Sequence, residues 1–374
     1  MPRPANAVLA VVFVLVIWLP LVANLSGVDG FDAVAENREP ARFPALDGTW
    51  TSLADYPGGL GRWFDDHFGF RAALVSLNAR SQLFGLRTSP SSAVLLGKDG
   101  WLFYADDGAM EDYTNAPALS AGEVENWRVS VVGARNWLRG RGVAYVLTIP
   151  PDKHVIYEDH MPDSVRRVGS ASRMDQVFGA LADAHLAVDL RPALFEAKVR
   201  ERIYHRTDTH WNDRGAFVAY RIIIEAVRRQ LPAVPPAWQR SDFEAVSRYE
   251  EGQDLAGMMG LKSDLREDVL ALEPRRQRLA RVVEPAGAAP NAEEGRLVTE
   301  IPGSALPRAV IFRDSFVTAL VPFLSEHFSR AVYLWQDDFD AEAVVKEHAD
   351  IVIQEIVGRH LYTFTPSPQL VPSP

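Results

Sequence analysis

After Arg3 the chain runs from Ala7 to Leu25 (AVLAVVFVLVIWLPLVANL) without a charged side chain, and Asn24 is its one strongly polar residue. A helix over this stretch is about 28 Å long, close to the roughly 30 Å hydrocarbon thickness of a bilayer. It is long enough to span. The positive-inside rule leaves Arg3 and the terminal amine in the cytoplasm and sends the residues beyond Asp29 to the other side. A cleaved signal peptide is the alternative, but its apolar core is usually shorter and ends in a small-x-small site, which is absent here. Residues 1–28 therefore read as an uncleaved anchor. No second long apolar run follows, so the remainder is expected to be a soluble body beyond the membrane. In a Gram-negative cell that is an inner-membrane single-pass anchor with a periplasmic domain.

With 374 residues, 47% of them hydrophobic and 24% charged, the chain can build a full-sized core. A formal net charge of −10 argues against a nucleic-acid partner, because phosphate recognition is dominated by Lys and Arg. The sequence has no cysteine, which removes disulfides, thiolate metal sites and cysteine nucleophiles.

Residues 29–62 are turn-rich and lack helical or alternating periodicity; they read as a linker, with the main body over 63–364. From Trp63 to Leu86, the residues Phe70, Ala73, Leu74, Leu77 and Leu83 fall near helical spacing and predict a helix. Two short apolar runs, Ala93–Leu96 and Trp101–Tyr104, flank Asp99-Gly100 and predict a hairpin. Ser120 with Glu123 forms a capping box for a helix reaching Arg139, stopped by Gly140 or Gly142. The run Val143–Pro150 has the shape of a buried parallel strand ending at a ligand-facing loop. A helix near Ser172–Ala184 and a strand Leu186–Leu190 repeat that order. After Trp211 a helix capped by Asn212 or Asp213 sets Phe217, Tyr220, Ile224, Val227 and Leu231 on one stripe. Residues 232–300 read as an irregular insert.

The last third is regular: strand Ala309–Phe312, helix Phe316–Phe328, strand Ala331–Trp335, helix Asp340–Glu347, strand Ile351–Val357. Residues 365–374 form a Pro-rich tail expected to be disordered. Alternation of this kind predicts an α/β fold, a mostly parallel sheet flanked by helices on both faces.

Two islands carry candidate chemistry. In YHRTDTHWNDRGAFVAY, Asp208 and His210 stand two apart, and in an extended segment such residues project to the same side. In AVIFRDSF, Ser315 falls between a buried strand and a helix, where the first free N–H groups of the helix would suit an oxyanion hole. A serine hydroxyl needs a base, and the base needs an orienting group. Ser315, His210 and Asp208 supply those parts. Each piece alone also has a plain structural reading, Ser315 as an N-cap and Asp-Thr-His as a local hydrogen-bonding arrangement.

The ordered blocks GKDGWLFY (Gly97–Tyr104), PPDKHVIYEDHMPD (Pro150–Asp163), TDTHWNDRGAFVAY (Thr207–Tyr220), DLAGMMGL (Asp254–Leu261) and RDSF (Arg313–Phe316) change that balance. Together they resemble the SGNH hydrolase-like family of alginate O-acetyltransferases of the AlgJ and AlgX type, over about Asp65 to Leu361. The resemblance implies a periplasmic enzyme moving acetyl groups to exopolysaccharide hydroxyls through an acetyl-serine. By motif, Ser315 corresponds to the nucleophile, His210 to the base and Asp208 to the orienting acid. No cofactor and no metal are expected. The implied partners are a polysaccharide acceptor and a multi-spanning membrane acyltransferase that delivers the acyl group.

Arg313 stands where many SGNH proteins have glycine before Asp-Ser, and its bulk is expected to narrow or charge the oxyanion region. No carbohydrate-binding module is expected after the last strand, and glycan contacts are expected from the core and the 232–300 insert. Three weaker substrate-binding candidates complete the set. Lys153 follows a strand end and reads either as a group meeting substrate or as a solvated loop lysine. Trp211 reads either as a sugar platform or as a core anchor. Arg313 reads either as a charge stabiliser or as a partner of a nearby acid. Competing functions are a polysaccharide acetylesterase, a non-catalytic polysaccharide-binding scaffold, and a metal site built on His205, Asp208 and His210.

Overall fold

A computed structural model describes residues 4–26, 39–182, 186–284 and 295–366. Residues 1–3 (with Arg3) and 27–28 of the expected anchor, 29–38 of the expected linker, 285–294 of the expected insert and 367–374 of the expected tail lie outside the described residues, as do 183–185 at the end of one expected helix. The chain divides into two compact units, Met1–Ser91 with Ala256–Leu265, and Ser92–Leu255 with Arg266–Pro374.

In the first unit, helix α1 (Pro4–Leu25) is long and apolar enough to cross a membrane. Helix α2 (Trp50–Asp66) starts at Thr49, whose hydroxyl accepts the Ser52 N–H at 3.1 Å. Helix α3 (Arg71–Arg80) follows, running on into a wider turn over Ser81–Leu86. This corrects two expectations. The segment expected to link is helical from Trp50, and the helix expected over Trp63–Leu86 is broken at 67–70. The break has a physical cause. Gly69 lies so close to α1 that an added Cβ would stand 2.1 Å from the Pro20 carbonyl oxygen, and Phe70 takes a left-handed backbone conformation with φ 64°.

The second unit opens with the expected hairpin, β1 (Val94–Leu96) and β2 (Leu102–Tyr104), antiparallel, with Asp99 at φ 54° in the turn. Helix α4 (Ala121–Arg139) carries the Ser120–Glu123 capping box in both directions. Strand β3 (Ala144–Thr148), helix α5 (Arg173–Leu181), the short strand β4 (Ala187–Val188) and helix α6 (Asp213–Gln230) follow. Asn212 caps α6, accepting the Arg214 and Gly215 N–H groups.

The 232–300 segment is not irregular. Strands β5 (Phe243–Glu250) and β6 (Glu267–Pro274) pair antiparallel over eight residues each, and β7 (Arg281–Glu284) and β8 (Arg296–Glu300) join the main sheet. Neither β5 nor β6 shows a clean apolar alternation, because much of the ribbon faces solvent on both sides. The chain then runs through β9 (Arg308–Arg313), β10 (Arg330–Trp335), helix α7 (Ala341–Glu347) and β11 (Ile351–Glu355). The helix expected over Phe316–Phe328 is instead a 3₁₀ turn (Ser315–Ala319), one α-turn (Val321–Leu324) and a second 3₁₀ turn. Pro322 lacks the N–H that a continuous helix needs at that point.

The main sheet has seven strands in the order β4-β3-β11-β9-β10-β8-β7. The first five are mutually parallel; β8 pairs antiparallel with β10, and β7 antiparallel with β8. Alternation along the central strands feeds two cores. Val146, Ile311 and Ile353 face the core that contains α6, and Tyr145, Leu147, Val310, Phe312 and Val352 face the one that contains α4 and α5. Residues just beyond β3, β9 and β11 therefore gather at one carboxyl edge of the sheet, where open α/β sheets bind ligands.

Candidate active site

Ser315 begins the turn immediately beyond β9. Asp314 caps that turn: its carboxylate accepts the Phe316 N–H at 2.8 Å and, through the other oxygen, the Val357 N–H at 2.6 Å beyond β11. The Asp314 N–H in turn donates to Glu355 at 2.9 Å. Burial and the neighbouring Asp314 carboxylate push Glu355 well above the usual carboxyl range. Two central strands thus clamp the serine turn. One expectation changes here: the Phe316 N–H, first of the free donors expected after Ser315, is taken by Asp314.

His210 and Asp208 lie in the 205–210 loop, which the Tyr204–Trp211 bridge closes. The loop is bent rather than extended. Asp208 and His210 meet because one carboxylate oxygen, Oδ1, accepts both the His210 backbone N–H at 2.9 Å and its ring Nδ1 at 2.7 Å, an Asx-type turn. On the other side of the ring, Nε2 lies 2.7 Å from Ser315 Oγ. An ionised carboxylate only accepts, so the ring proton sits on Nδ1 and the Ser315 hydroxyl donates to Nε2. Burial works against protonation of His210, but Asp208 outweighs it and holds the imidazole above its ordinary value. Burial likewise raises Asp208, yet His210 and His205 hold its carboxyl well below the usual range.

The loop is pinned from beneath. Lys153, 3% exposed, donates from Nζ to the carbonyls of His205 and Arg206 at 3.1 Å and to that of Asp208. Burial drives its ammonium down to about 7. It is neither a solvated loop lysine nor a substrate contact, since its head is spent on the loop backbone. Glu267, the first residue of β6, accepts the Arg206 and Thr207 N–H groups at 2.8 and 3.0 Å and the Thr207 hydroxyl at 2.6 Å. Thr209 donates to Asp254 at 3.1 Å.

Trp211 is 1% exposed and donates from Nε1 to the Phe316 carbonyl at 3.0 Å, its ring against Phe316 at 5.1 Å. It is a core anchor that ties the imidazole loop to the serine turn, not a sugar platform. Arg313 is also 1% exposed; its guanidinium donates to the Asp314 carbonyl and to Thr318 and lies over Trp335. The expectation that it enters the reaction site is overturned, because its head is turned into the protein. His205 lies beside Glu267 at 4.0 Å, outside the Asp208–His210–Asp254 group, and both ring nitrogens of His210 are already engaged. The competing metal reading on His205, Asp208 and His210 does not find its three donors together.

Sequence reasoning missed Glu267, Asp254, Asp314 and Arg359 as supports of this edge. Arg359 donates to the Asp152 carboxylate at 2.8 Å beside the turn after β3. The DLAGMMGL block was the one signal that pointed toward Asp254.

Comparison with known proteins agrees with this architecture. Residues 94–340 match the family described as SGNH hydrolase-like domain, acetyltransferase AlgX. The chain is 31% identical over 193 residues to the probable alginate O-acetylase AlgJ of Pseudomonas syringae pv. tomato, covering 51% of this chain and 46% of that protein. To the probable alginate O-acetylase AlgJ of Pseudomonas aeruginosa it is 32% identical over 222 residues, covering 57% of this chain and 50% of that one. These matches span about half the length of the curated relatives. Among solved structures, PatB1 of Bacillus cereus with a sulfonyl adduct superposes with a TM-score of 0.53 at 15% identity, covering 72% of this chain and 97% of that one, which is a likeness of fold. The chain belongs to the SGNH hydrolase-like AlgX acetyltransferase family.

Proposed function

We propose that this chain is a periplasmic O-acetyltransferase that moves an acetyl group onto exopolysaccharide hydroxyls through an acetyl-serine. The reading rests on one observation, the continuous hydrogen-bonded path from Ser315 Oγ through His210 to Asp208. Ser315 Oγ attacks the acyl carbonyl carbon as His210 Nε2 takes the hydroxyl proton, and the same proton leaves with the departing group. Asp208 keeps the ring in the accepting tautomer and stabilises the imidazolium as it forms. A sugar hydroxyl then repeats the sequence in reverse: its proton passes to Nε2, its oxygen bonds the acetyl carbon, and Ser315 recovers its hydrogen. Helix α1 supports an inner-membrane anchor, which would keep the serine near a multi-spanning membrane protein that supplies the acyl group.

The test is intact-mass measurement of the full chain after exposure to an activated acetyl ester. A gain of about 42 Da, one hydrogen replaced by acetyl, is expected on Ser315 and not in Ser315→Ala. No adduct and no ester turnover would leave a glycan-binding scaffold as the better reading. Added oligosaccharide is expected to divert acetyl from water to sugar; brisk hydrolysis with no acetylated sugar would make the chain an esterase.

A further inference from the structure

Helix α2 carries an apolar stripe that the described residues leave exposed, with Phe68 meeting its Phe64 end edge-on at 5.7 Å. Trp50, Leu53, Pro57, Leu60 and Phe64 recur at three- and four-residue spacing and so share one face. All five are exposed, Trp50 at 86%. The inward face is a different one: Trp63 meets Phe43 edge-on at 5.0 Å, and Gly59 lies against Pro44. Single exposed hydrophobics are ordinary, but a contiguous row along a helix marks a contact surface.

The neighbourhood of the stripe identifies its occupant. The corner at the end of α2 is packed on the last turn of α1, with Gly69 against the Pro20 carbonyl and the Asn24 amide donating to the His67 carbonyl. Pro20 and Asn24 lie within about 8 Å of the end of the apolar run, at 1.5 Å per residue. In-plane amphipathic helices bury their apolar face to a similar depth, about 5–10 Å into the headgroup and acyl boundary. The large apolar side chains of α1, such as Val8, Phe13 and Val22, are likewise uncovered, so both surfaces call for the same solvent. Trp and Phe on the stripe suit that boundary.

We propose that α2 lays the Trp50–Phe64 stripe into the membrane surface from which α1 emerges, making the attachment two-point, one spanning helix and one interfacial helix. The inference rests on the anchor reading of α1 given above. A second contact of this kind restrains the tilt of the first unit at the bilayer, which one spanning helix alone does not do.

The lack of cysteine in the sequence permits single-site nitroxide labelling of the full chain in vesicles of phosphatidylethanolamine and phosphatidylglycerol. Leu53→Cys and Leu60→Cys report the stripe, Asp55→Cys another face of the same helix, and Val14→Cys the middle of α1. Labels at Leu53 and Leu60 are expected to be relaxed by oxygen at least about threefold more than the label at Asp55, and correspondingly less by a water-soluble nickel chelate, as for groups 5–10 Å deep. Adding Leu60→Lys should lift the Leu53 label toward water. Stripe labels as wet as the Asp55 label, with the Val14 label deep, would overturn the docking and leave the anchor standing. A wet Val14 label would remove the anchor itself. Stripe labels screened from both reagents would mean that a second copy of the chain covers the face, and the lipid assignment would be wrong.

Discussion

His210 and His360 stand at the same carboxyl edge, each beside carboxylates, and their surroundings prepare them for opposite tasks. His210 has Asp208 on one ring nitrogen and the Ser315 hydroxyl on the other. His360 has Asp337 at 3.0 Å on one side and Asp107 at 3.3 Å on the other. Although burial opposes it, these carboxylates and Asp314 raise the His360 imidazole to about 10. It is a fixed cation near neutral pH, with no lone pair to offer. A carboxylate partner alone therefore does not make a histidine a base; an unprotonated nitrogen aimed at a hydroxyl does.

Exchanging the two histidines' fates is the sharpest way to break that comparison. His210→Ala and Ser315→Ala should each reduce ester turnover by roughly 10⁴-fold or more, as expected of members that act as a unit. His360→Gln should keep turnover within roughly tenfold and lose stability instead. Because its folded pKa is raised to about 10 from 6.5, its contribution is complete below about pH 6.5 and disappears as pH climbs through 10. Denaturant melts should show wild type ahead by about 2–4 kcal/mol at pH 6 and nearly level at pH 10.5. If His360→Gln were as inactive as His210→Ala while still folded, the distinction between base and fixed cation would fail.

The next effect concerns the carboxylate. Asp208→Asn removes the acceptor that fixes the proton on Nδ1, and turnover should fall roughly 10³- to 10⁴-fold. As the proposed base, His210 must be neutral to act, so wild-type kcat/KM should rise with pH through an inflection above the ordinary histidine value, since Asp208 raises His210. In Asp208→Asn the residual activity should titrate at lower pH. An unmoved inflection would mean that another group controls the profile.

Third in size is the support beneath the loop. Lys153→Met strands the carbonyls of His205 and Asp208 in a buried site, where unpaired acceptors are costly, while that of Arg206 keeps the Leu102 N–H. The loop should then relax enough to misplace His210 against Ser315, with kcat falling roughly 10- to 100-fold and KM for a small ester little changed. Wild-type kcat in a folded Lys153→Met would show that Glu267 and Asp254 hold the loop unaided.

The two halves of the site differed in how far the sequence exposed them. The serine turn was legible because it depends on local order: a buried strand, AVIF, ends and Ser315 follows, and Asp314 caps the turn from one residue away. The sheet was legible for the same reason, each strand being a short apolar run between capped helices. The imidazole loop was legible as a motif but not as a geometry. Its shape comes from Lys153 and Glu267, more than fifty residues away on either side, and spacing carries no trace of them. Lys153, Arg313 and Trp211 stand as substrate-facing candidates in the sequence because sequence shows a side chain's chemistry and not its direction. All three are turned inward. The β5–β6 ribbon escaped for a third reason, that strands wet on both faces leave no hydrophobic period to read.

Trp211 carries the smallest effect and the most specific one. Its indole N–H is the hydrogen bond joining the segment after His210 to the turn after Ser315, while its ring fills the core beside Phe316. Trp211→Phe keeps most of the packing and deletes the donor. The Phe316 carbonyl, buried, then lacks that partner, which should lower stability by about 1–2 kcal/mol. If the bond also sets the distance between nucleophile and base, kcat should drop a few-fold while KM stays put, because the loss falls on alignment of reacting groups and not on ester binding. A stability loss without any change in kcat would assign the 2.7 Å Ser315–His210 separation to the loop supports and the strand clamp alone, and Trp211 would be a core residue that happens to touch both.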